Sequence, residues 1–217
     1  MRKILLTGFE PFGGETINPS WQVAQALHGA DLGSATVQAL CLPCIFGKAL
    51  TVLDAALLEH KPLLVLALGQ ASGRCDLSLE RVAINLDDAP IADNAGLRPI
   101  DEPVHRGAPT AYFSTLPIKA MVAALRDAGV PASVSHSAGT FVCNHVFFGL
   151  MHALRRRRSV RAGFMHLPLL PEQAAAQPAG QPSLPLDILV RGVRLALQTA
   201  SSTPTREDLR TTGGTLA

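Results

Sequence analysis

The sequence predicts an α/β fold: a single-domain three-layer sandwich whose mostly parallel, twisted central sheet carries helices on both faces, with a small antiparallel excursion. Three observations carry this expectation. Short apolar runs alternate with amphipathic stretches along most of the chain, the pattern of strands joined by crossover helices. The run at 63–68 is apolar throughout, as suits a central strand covered on both faces. Finally, 217 residues with 47% hydrophobic and only 17% charged side chains suffice for one large core and exclude general disorder.

The strands are expected at 3–7, 36–42, 63–68, 132–136 and 161–167, all short and flanked by Gly or Pro. Between them, Asn18-Pro19-Ser20 supplies an N-cap with Pro at the first helical position, and Trp21, Ala24 and Leu27 follow at helical spacing. Phe46, Leu50, Leu53 and Leu57 mark one face of a second helix, which Pro62 stops. Helices are also expected at 117–128, before Gly129, and at 144–157 and 186–200. The stretch 74–114 lacks a long period and is expected to form small antiparallel strands and loops outside the main sheet. Residues 173–185, with three prolines, read as a surface connection. The expected domain organisation is therefore a single α/β domain at 1–200 and a poorly ordered tail at 201–217, where Ser, Thr, Gly and mixed charge take over.

Charge and cysteine usage narrow the partners. A formal net charge of +2 is too small to predict nucleic-acid or membrane-surface binding by long-range attraction. The run Arg155 to Arg158 reads as a solvated helix end, where cations meet the macrodipole favourably. The longest unbroken aliphatic stretch is far below the roughly 18 residues of a membrane span, and the start carries no cleavage-type signal, so a cytoplasmic location is expected. Four cysteines make no disulfide framework. Cys41 and Cys44 form a C-x-x-C without a second pair or a His pair, and read as structural thiols; no metal and no cofactor are expected.

In an open α/β sheet, ligands collect beyond the carboxyl ends of the strands. The loops there hold Phe9 and Phe12, Gln70, Phe141 and Cys143, and His166 ends the last strand. Cys143 stands where a loop enters a helix, a position expected to lower a thiol pKa. His166 is placed to exchange a proton with it. Glu80 lies in an otherwise apolar strand-like run, where an unpaired carboxylate is costly, and is a candidate to orient the base. The same residues also fit a buried structural Cys, a core His and a Glu80–Arg81 surface pair.

Several ordered segments resemble the pyroglutamyl-peptidase I family of cysteine peptidases. They are Thr7-Gly8-Phe9-Glu10-Pro11-Phe12-Gly13-Gly14 with Asn18-Pro19-Ser20, Gly69-Gln70-Ala71, Glu80-Arg81-Val82-Ala83-Ile84-Asn85, 137–145 around Cys143, His166-Leu167-Pro168, and Leu170-Pro171-Glu172-Gln173. The resemblance spans residue 7 to about residue 200. It implies a Cys-His-Glu triad of Cys143 as nucleophile, His166 as base and then acid, and Glu80 as orienting carboxylate. The implied reaction removes an N-terminal pyroglutamyl residue from peptides through a thioester. It also implies a cytoplasmic, metal-free homotetramer.

Pyroglutamate is a neutral lactam, so its pocket needs apolar walls and a few hydrogen bonds, with no carboxylate for an ammonium. By resemblance Phe9, Phe12 and Phe141 wall the ring, and Asn18 and Gln70 are its polar contacts. Pro90 is a departure: many family members carry an Arg within the segment matching residues 87–94. Its loss would leave the oxyanion to backbone N–H groups near Cys143, or to another Arg such as Arg74. It also keeps open a second reading, a weak or silent homologue that binds pyroglutamyl or other small neutral ligands.

Overall fold

Alternation along each strand sorts the side chains onto two faces, and the helices cover both. The computed structural model describes residues 2–33, 35–178, 180–204 and 207–214. In chain order the elements are β1 (Lys3–Phe9), α1 (Pro19–Ala26), β2 (Thr36–Leu42), α2 (Lys48–His60), β3 (Leu64–Gln70), β4 (Leu77–Glu80), β5 (Val82–Ile84) and β6 (Ala111–Phe113). There follow α3 (Ile118–Asp127), β7 (Ala132–Ser135), α4 (Val142–Leu154), β8 (Arg161–Leu167), α5 (Pro171–Ala175) and α6 (Leu186–Ser202). Six strands form the central sheet in the order β2-β1-β3-β8-β4-β7, and β5 pairs with β6 outside it.

In β3, Leu64, Leu66 and Leu68 join a core with Val23 of α1, Met121 and Leu125 of α3, and Leu189 and Val193 of α6. Val65 and Ala67 face the other way, into a core with Leu53 of α2 and Val146, Phe147 and Leu150 of α4. This is the three-layer architecture, with α1, α3 and α6 on one face and α2 and α4 on the other. Neighbours β1, β2, β3 and β8 run parallel. β4 runs antiparallel to β8 and parallel to β7, so the last two strands run against the other four.

Local chemistry explains the helix boundaries. Asn18 caps α1, accepting from Ser20 N at 3.0 Å, with Pro19 at the first helical position. α2 ends where Lys61 turns left-handed at φ 45°, just before Pro62. α4 starts at Val142, two residues earlier than its apolar spacing predicts, and ends at Leu154, so Arg156 to Arg158 lie beyond it. A further short helix, α5, ends within the first three residues of the stretch at 173–185 expected to be a surface connection.

The stretch 74–114 departs from expectation at its start. β4 is a strand of the main sheet, and all four of its residues are buried. Leu77 and Leu79 enter the core under α3 and α6, while Ser78 and Glu80 point to the opposite face. Two polar residues on a buried face break the apolar signature of an interior strand, which is why β4 was not expected there. The β5–β6 pair is the small antiparallel excursion.

Residues 207–214, part of the stretch expected to be poorly ordered, run along the β7 edge. Asp208 accepts from the backbone N–H groups of Lys119 and Ala120 at 3.1 and 2.9 Å, capping α3. Lys119 Nζ donates to Thr211 O, and Arg81 donates to Gly213 O at 3.1 Å. Residues 205–206 and 215–217 of that tail lie outside the described residues.

Candidate active site

β8 and its two neighbours bring three groups onto the α2/α4 face. Gly69 of β3 is the register partner of His166 of β8, and in β4 Ser78 pairs with His166 and Glu80 with Phe164. Paired residues point to the same face, so His166, Glu80 and the α hydrogens of Gly69 share one surface. His166 Nδ1 lies 2.8 Å from Glu80 Oε1, with Glu80 fully buried and His166 4% exposed. The carboxylate only accepts, so Nδ1 carries the proton and Nε2 is the basic nitrogen.

Cys143 is the second residue of α4 and lies directly over Gly69. A Cβ built on Gly69 would come 2.7 Å from Cys143 Sγ and 2.7 Å from Phe164 Cζ. The bare glycine lets the thiol settle onto the strand beside the imidazole. The loop that delivers Cys143 does not leave from the same edge as the loops after β1 and β3. It leaves β7 at Ser135, paired with Glu80 at the level of Phe164, and passes over the face with Ala138 and Val142 packed into the core below.

The thiol's acidity runs opposite to the expectation from its helix terminus. Burial pushes the Cys143 thiol well above its ordinary value, and Cys44 and Glu80 add to the rise. α4 offers a partial positive charge at its N-terminus, but desolvation beside a buried carboxylate dominates. The thiol is thus protonated by default, and a base must take the proton. Cys44, 3% exposed, is pushed up to about 12 by burial, with Glu10 and Asp93 adding to it. Cys75 is the exposed thiol of the chain.

Phe12 and Phe141 face each other with centroids 6.0 Å apart, and both are partly buried. Phe46, expected on a face of the second helix, lies instead in the turn before α2 and stands edge-on to Phe141 at 5.4 Å. Phe9 is 2% exposed and packs within the core beneath them. Asn18 spends both acceptor positions on Ser20 N and Ser20 Oγ, and donates to Glu10 O at 3.1 Å. Its side chain holds the β1 loop, with one amide hydrogen uncommitted. Gln70 Oε1 accepts from Gln173 Nε2 at 3.1 Å, which leaves the Gln70 amide nitrogen as its free end. Gln173, 3% exposed, is itself fixed by Leu170 N and Glu15.

The surrounding loops are tied by polar groups, most of them buried. Glu10 Oε1 accepts from Cys44 N and Asn94 Nδ2 at 3.0 and 2.8 Å. Asp93 Oδ2 accepts from Phe46 N at 2.9 Å, and His145 bridges Gly47 N and Asp87 Oδ2. Asn144 joins α4 to the segment after Glu80 by accepting from Ile84 N and donating to Ile84 O and Leu86 O. These clamps link residues 34 to 98 positions apart in the chain, so sequence spacing carries no sign of them. Near Pro90, Arg98 Nε donates to Ala89 O at 3.0 Å. Arg74, by contrast, is directed at Glu80 and its neighbours, away from the role of oxyanion donor considered for it. Among the described residues no group of three or more His, Cys, Asp or Glu is arranged to hold a metal ion.

Known proteins resemble this chain in sequence and in fold. The sequence profile of the pyroglutamyl peptidase family matches residues 2–203. The chain is 58% identical to the pyrrolidone-carboxylate peptidase of Cupriavidus necator over the full length of both, and 56% identical to that of Erwinia tasmaniensis over 99% of each. Its fold is similar to that of pyroglutamyl peptidase I from Bacillus amyloliquefaciens, with a TM-score of 0.93 at 44% identity over 97% of this chain and 99% of that one. The pyrrolidone carboxyl peptidase of Thermococcus litoralis gives a TM-score of 0.90 at 39% identity, over 93% and 94%. A match across 202 consecutive residues, from 2 to 203, encloses every element from β1 to α6, and the chain belongs to the pyroglutamyl peptidase family.

Proposed function

We propose that this chain is a cysteine peptidase that hydrolyses the N-terminal pyroglutamyl residue from peptides, with Cys143, His166 and Glu80 as its triad. The observation that carries the reading is the buried His166–Glu80 pair at 2.8 Å beside a thiol that rests on Gly69. Glu80 holds the imidazole with Nε2 free, and Nε2 accepts the thiol proton as Sγ attacks the pyroglutamyl carbonyl carbon. The oxyanion forms near the start of α4, where the first backbone N–H groups have no intrahelical acceptor and no side chain caps them. His166 then returns the proton to the peptide nitrogen as the C–N bond breaks. Water, deprotonated by the same imidazole, attacks the thioester and releases pyroglutamate and the free thiol.

Phe12 and Phe141 wall the flat ring, and Phe46 backs Phe141. Gln70 presents its amide nitrogen to a lactam oxygen, oriented by Gln173. Phe9 and Asn18 act on the substrate by supporting the loop that carries Phe12. A neutral ring suits a pocket without a charged partner, because its recognition needs shape and one or two hydrogen bonds.

Turnover of pyroglutamyl p-nitroanilide, compared with the prolyl analogue, tests the reading. Release from the pyroglutamyl substrate alone, lost in Cys143→Ser with the melting temperature kept, is the expected result. No release by the wild-type chain would favour the binding homologue that Pro90 raises. The catalytic unit is assigned to residues 1–200, and a cytoplasmic homotetramer is the assembly that accords with the 17% charged fraction. A monomeric mass by light scattering would overturn the tetramer.

A further inference from the structure

One guanidinium ties the carboxylate of the site to the loop that delivers the thiol. Arg74 lies in the loop between β3 and β4. Its Nη1 donates to Ser78 Oγ at 3.2 Å, and its Nη2 reaches Glu80 Oε1 at 3.5 Å, Ser135 Oγ at 3.2 Å and Ser137 O at 3.3 Å. Those acceptors belong to β4, to β7 and to the loop running from β7 to Cys143. The anchors are themselves held: Ser78 Oγ donates to Asp76 at 2.8 Å, and Ser135 Oγ donates to Ser137 O at 3.2 Å.

We propose that Arg74 is a positioning residue for the reaction: it holds Glu80, and through Glu80 the His166 imidazole, in fixed relation to the loop that ends at Cys143. The inference rests on the peptidase reading above. Its physical basis is the exposed need of a buried anion. Glu80 is fully buried and its Oε2 has no hydrogen-bond partner, so Oε1 carries both of its contacts, to His166 and to Arg74. A carboxylate in that position is held by few groups, and the guanidinium is the one permanent cation among them. β4 and β7 are only four residues long and stand at the end of the sheet, so little backbone pairing fixes Glu80 against the Cys143 loop. Arg74 adds that connection from the side. A planar fork with five donors can reach four acceptors on three segments, whereas a lysine ammonium has three donors at a single point.

A staple that merely stiffened β4 and β7 would cost stability and lower activity at every pH equally. A group acting on the Glu80–His166 pair changes the chemistry in a recognisable way. Removing a positive charge beside the pair makes the imidazole easier to protonate, so the acid limb of the kcat/KM profile moves to higher pH.

The experiment compares wild type, Arg74→Met, Arg74→Lys, Glu80→Gln and the Arg74→Met/Glu80→Gln double variant, using pyroglutamyl p-nitroanilide. Arg74→Met is expected to lower kcat roughly 10- to 100-fold, the range for losing charge-assisted hydrogen bonds, with KM changed less than about threefold and the acid limb raised. Arg74→Lys is expected to restore the limb and part of kcat. In the Glu80→Gln background, Arg74→Met is expected to add little. Unchanged kcat, a rise in KM alone, an unmoved acid limb, or full additivity with Glu80→Gln would each overturn the proposal. The rate of Cys143 alkylation by iodoacetamide at pH 7.5 supplies a readout independent of turnover. If wild type proves inactive, the peptidase reading fails on that result, and an alkylation rate unaffected by Arg74→Met then overturns the positioning role as well.

Discussion

Gly69 and Cys143 meet without room for one more carbon: a methyl on the Gly69 Cα would stand 2.7 Å from Sγ. The thiol sits over a strand position that must stay bare, between a sheet that carries His166 and a helix that carries Cys143.

Gly69→Ala is therefore expected to displace the nucleophile while the fold survives. Phe164 and the α4 terminus must shift by a few tenths of an ångström or more. Misplacing reacting atoms on the ångström scale costs roughly 100-fold in rate, so kcat is expected to fall by about that factor, with circular dichroism unchanged. Activity within about twofold of wild type would show that Sγ reaches the substrate from elsewhere.

Protonation of Cys143 gives a second expectation. Burial raises its thiol pKa above the ordinary 9.0, so without a base the thiolate fraction at pH 7.5 is small and grows tenfold with each pH unit. His166→Ala is expected to slow iodoacetamide labelling of Cys143 at pH 7.5 by roughly tenfold or more, and to leave a rate that keeps climbing through pH 9. Cys75, exposed on its loop, should label at the same rate in both proteins. Equal Cys143 rates in the two would mean that the thiol ionises without His166.

The ring pocket can be tested through the pair Phe12 and Phe141, whose centroids stand 6.0 Å apart. Phe141→Ala removes one wall and is expected to raise KM for a pyroglutamyl amide roughly tenfold, the scale for lost apolar contacts in a specificity pocket. Steady-state kinetics would separate this from a loss confined to kcat, which would place the ring's role at the nucleophile.

Cys44 predicts a stability trend at alkaline pH. Burial pushes its thiol up to about 12 in the folded chain, above the ordinary 9.0 of an exposed cysteine that the unfolded chain presents. A raised folded value means the stabilising difference is whole below pH 9 and is lost as pH climbs from 9 toward 12, because the unfolded chain ionises first. Melting temperature should fall more between pH 8 and pH 10.5 in wild type than in Cys44→Ala. Parallel slopes would show that the buried thiol contributes nothing to the alkaline loss.

What could be seen in the sequence depended on how local its cause was. The Asn18-Pro19-Ser20 cap of α1 is a three-residue device, and it appears where its spacing places it. Glu80 stood out because a carboxylate interrupts an apolar run, and the structure pairs it with His166 across 86 residues of chain. β4 itself stayed hidden for the same reason, since Ser78 and Glu80 gave a buried strand a half-polar face. The acidity of Cys143 followed from burial beside Glu80, a tertiary fact that outweighed the local one of a helix terminus. Gln173 lay inside a recognised segment, yet its hold on Gln70, 103 residues away, follows only from α5 folding back over the β3 end.

The opposed direction of β4 leads to a last consequence. Because side chains alternate along a strand, a one-residue slip against β8 would exchange Ser78 and Glu80 for Leu77 and Leu79. The same slip would turn two leucines out of the core beneath α3 and α6 and remove the acid from its imidazole. Hydrophobic burial and chemical competence are thus fixed by one pairing register. A molecule is either wrongly paired, with its core broken and its chemistry absent, or correctly paired and fully equipped. Specific activity in a refolding mixture accordingly counts the molecules whose β4 has found its place.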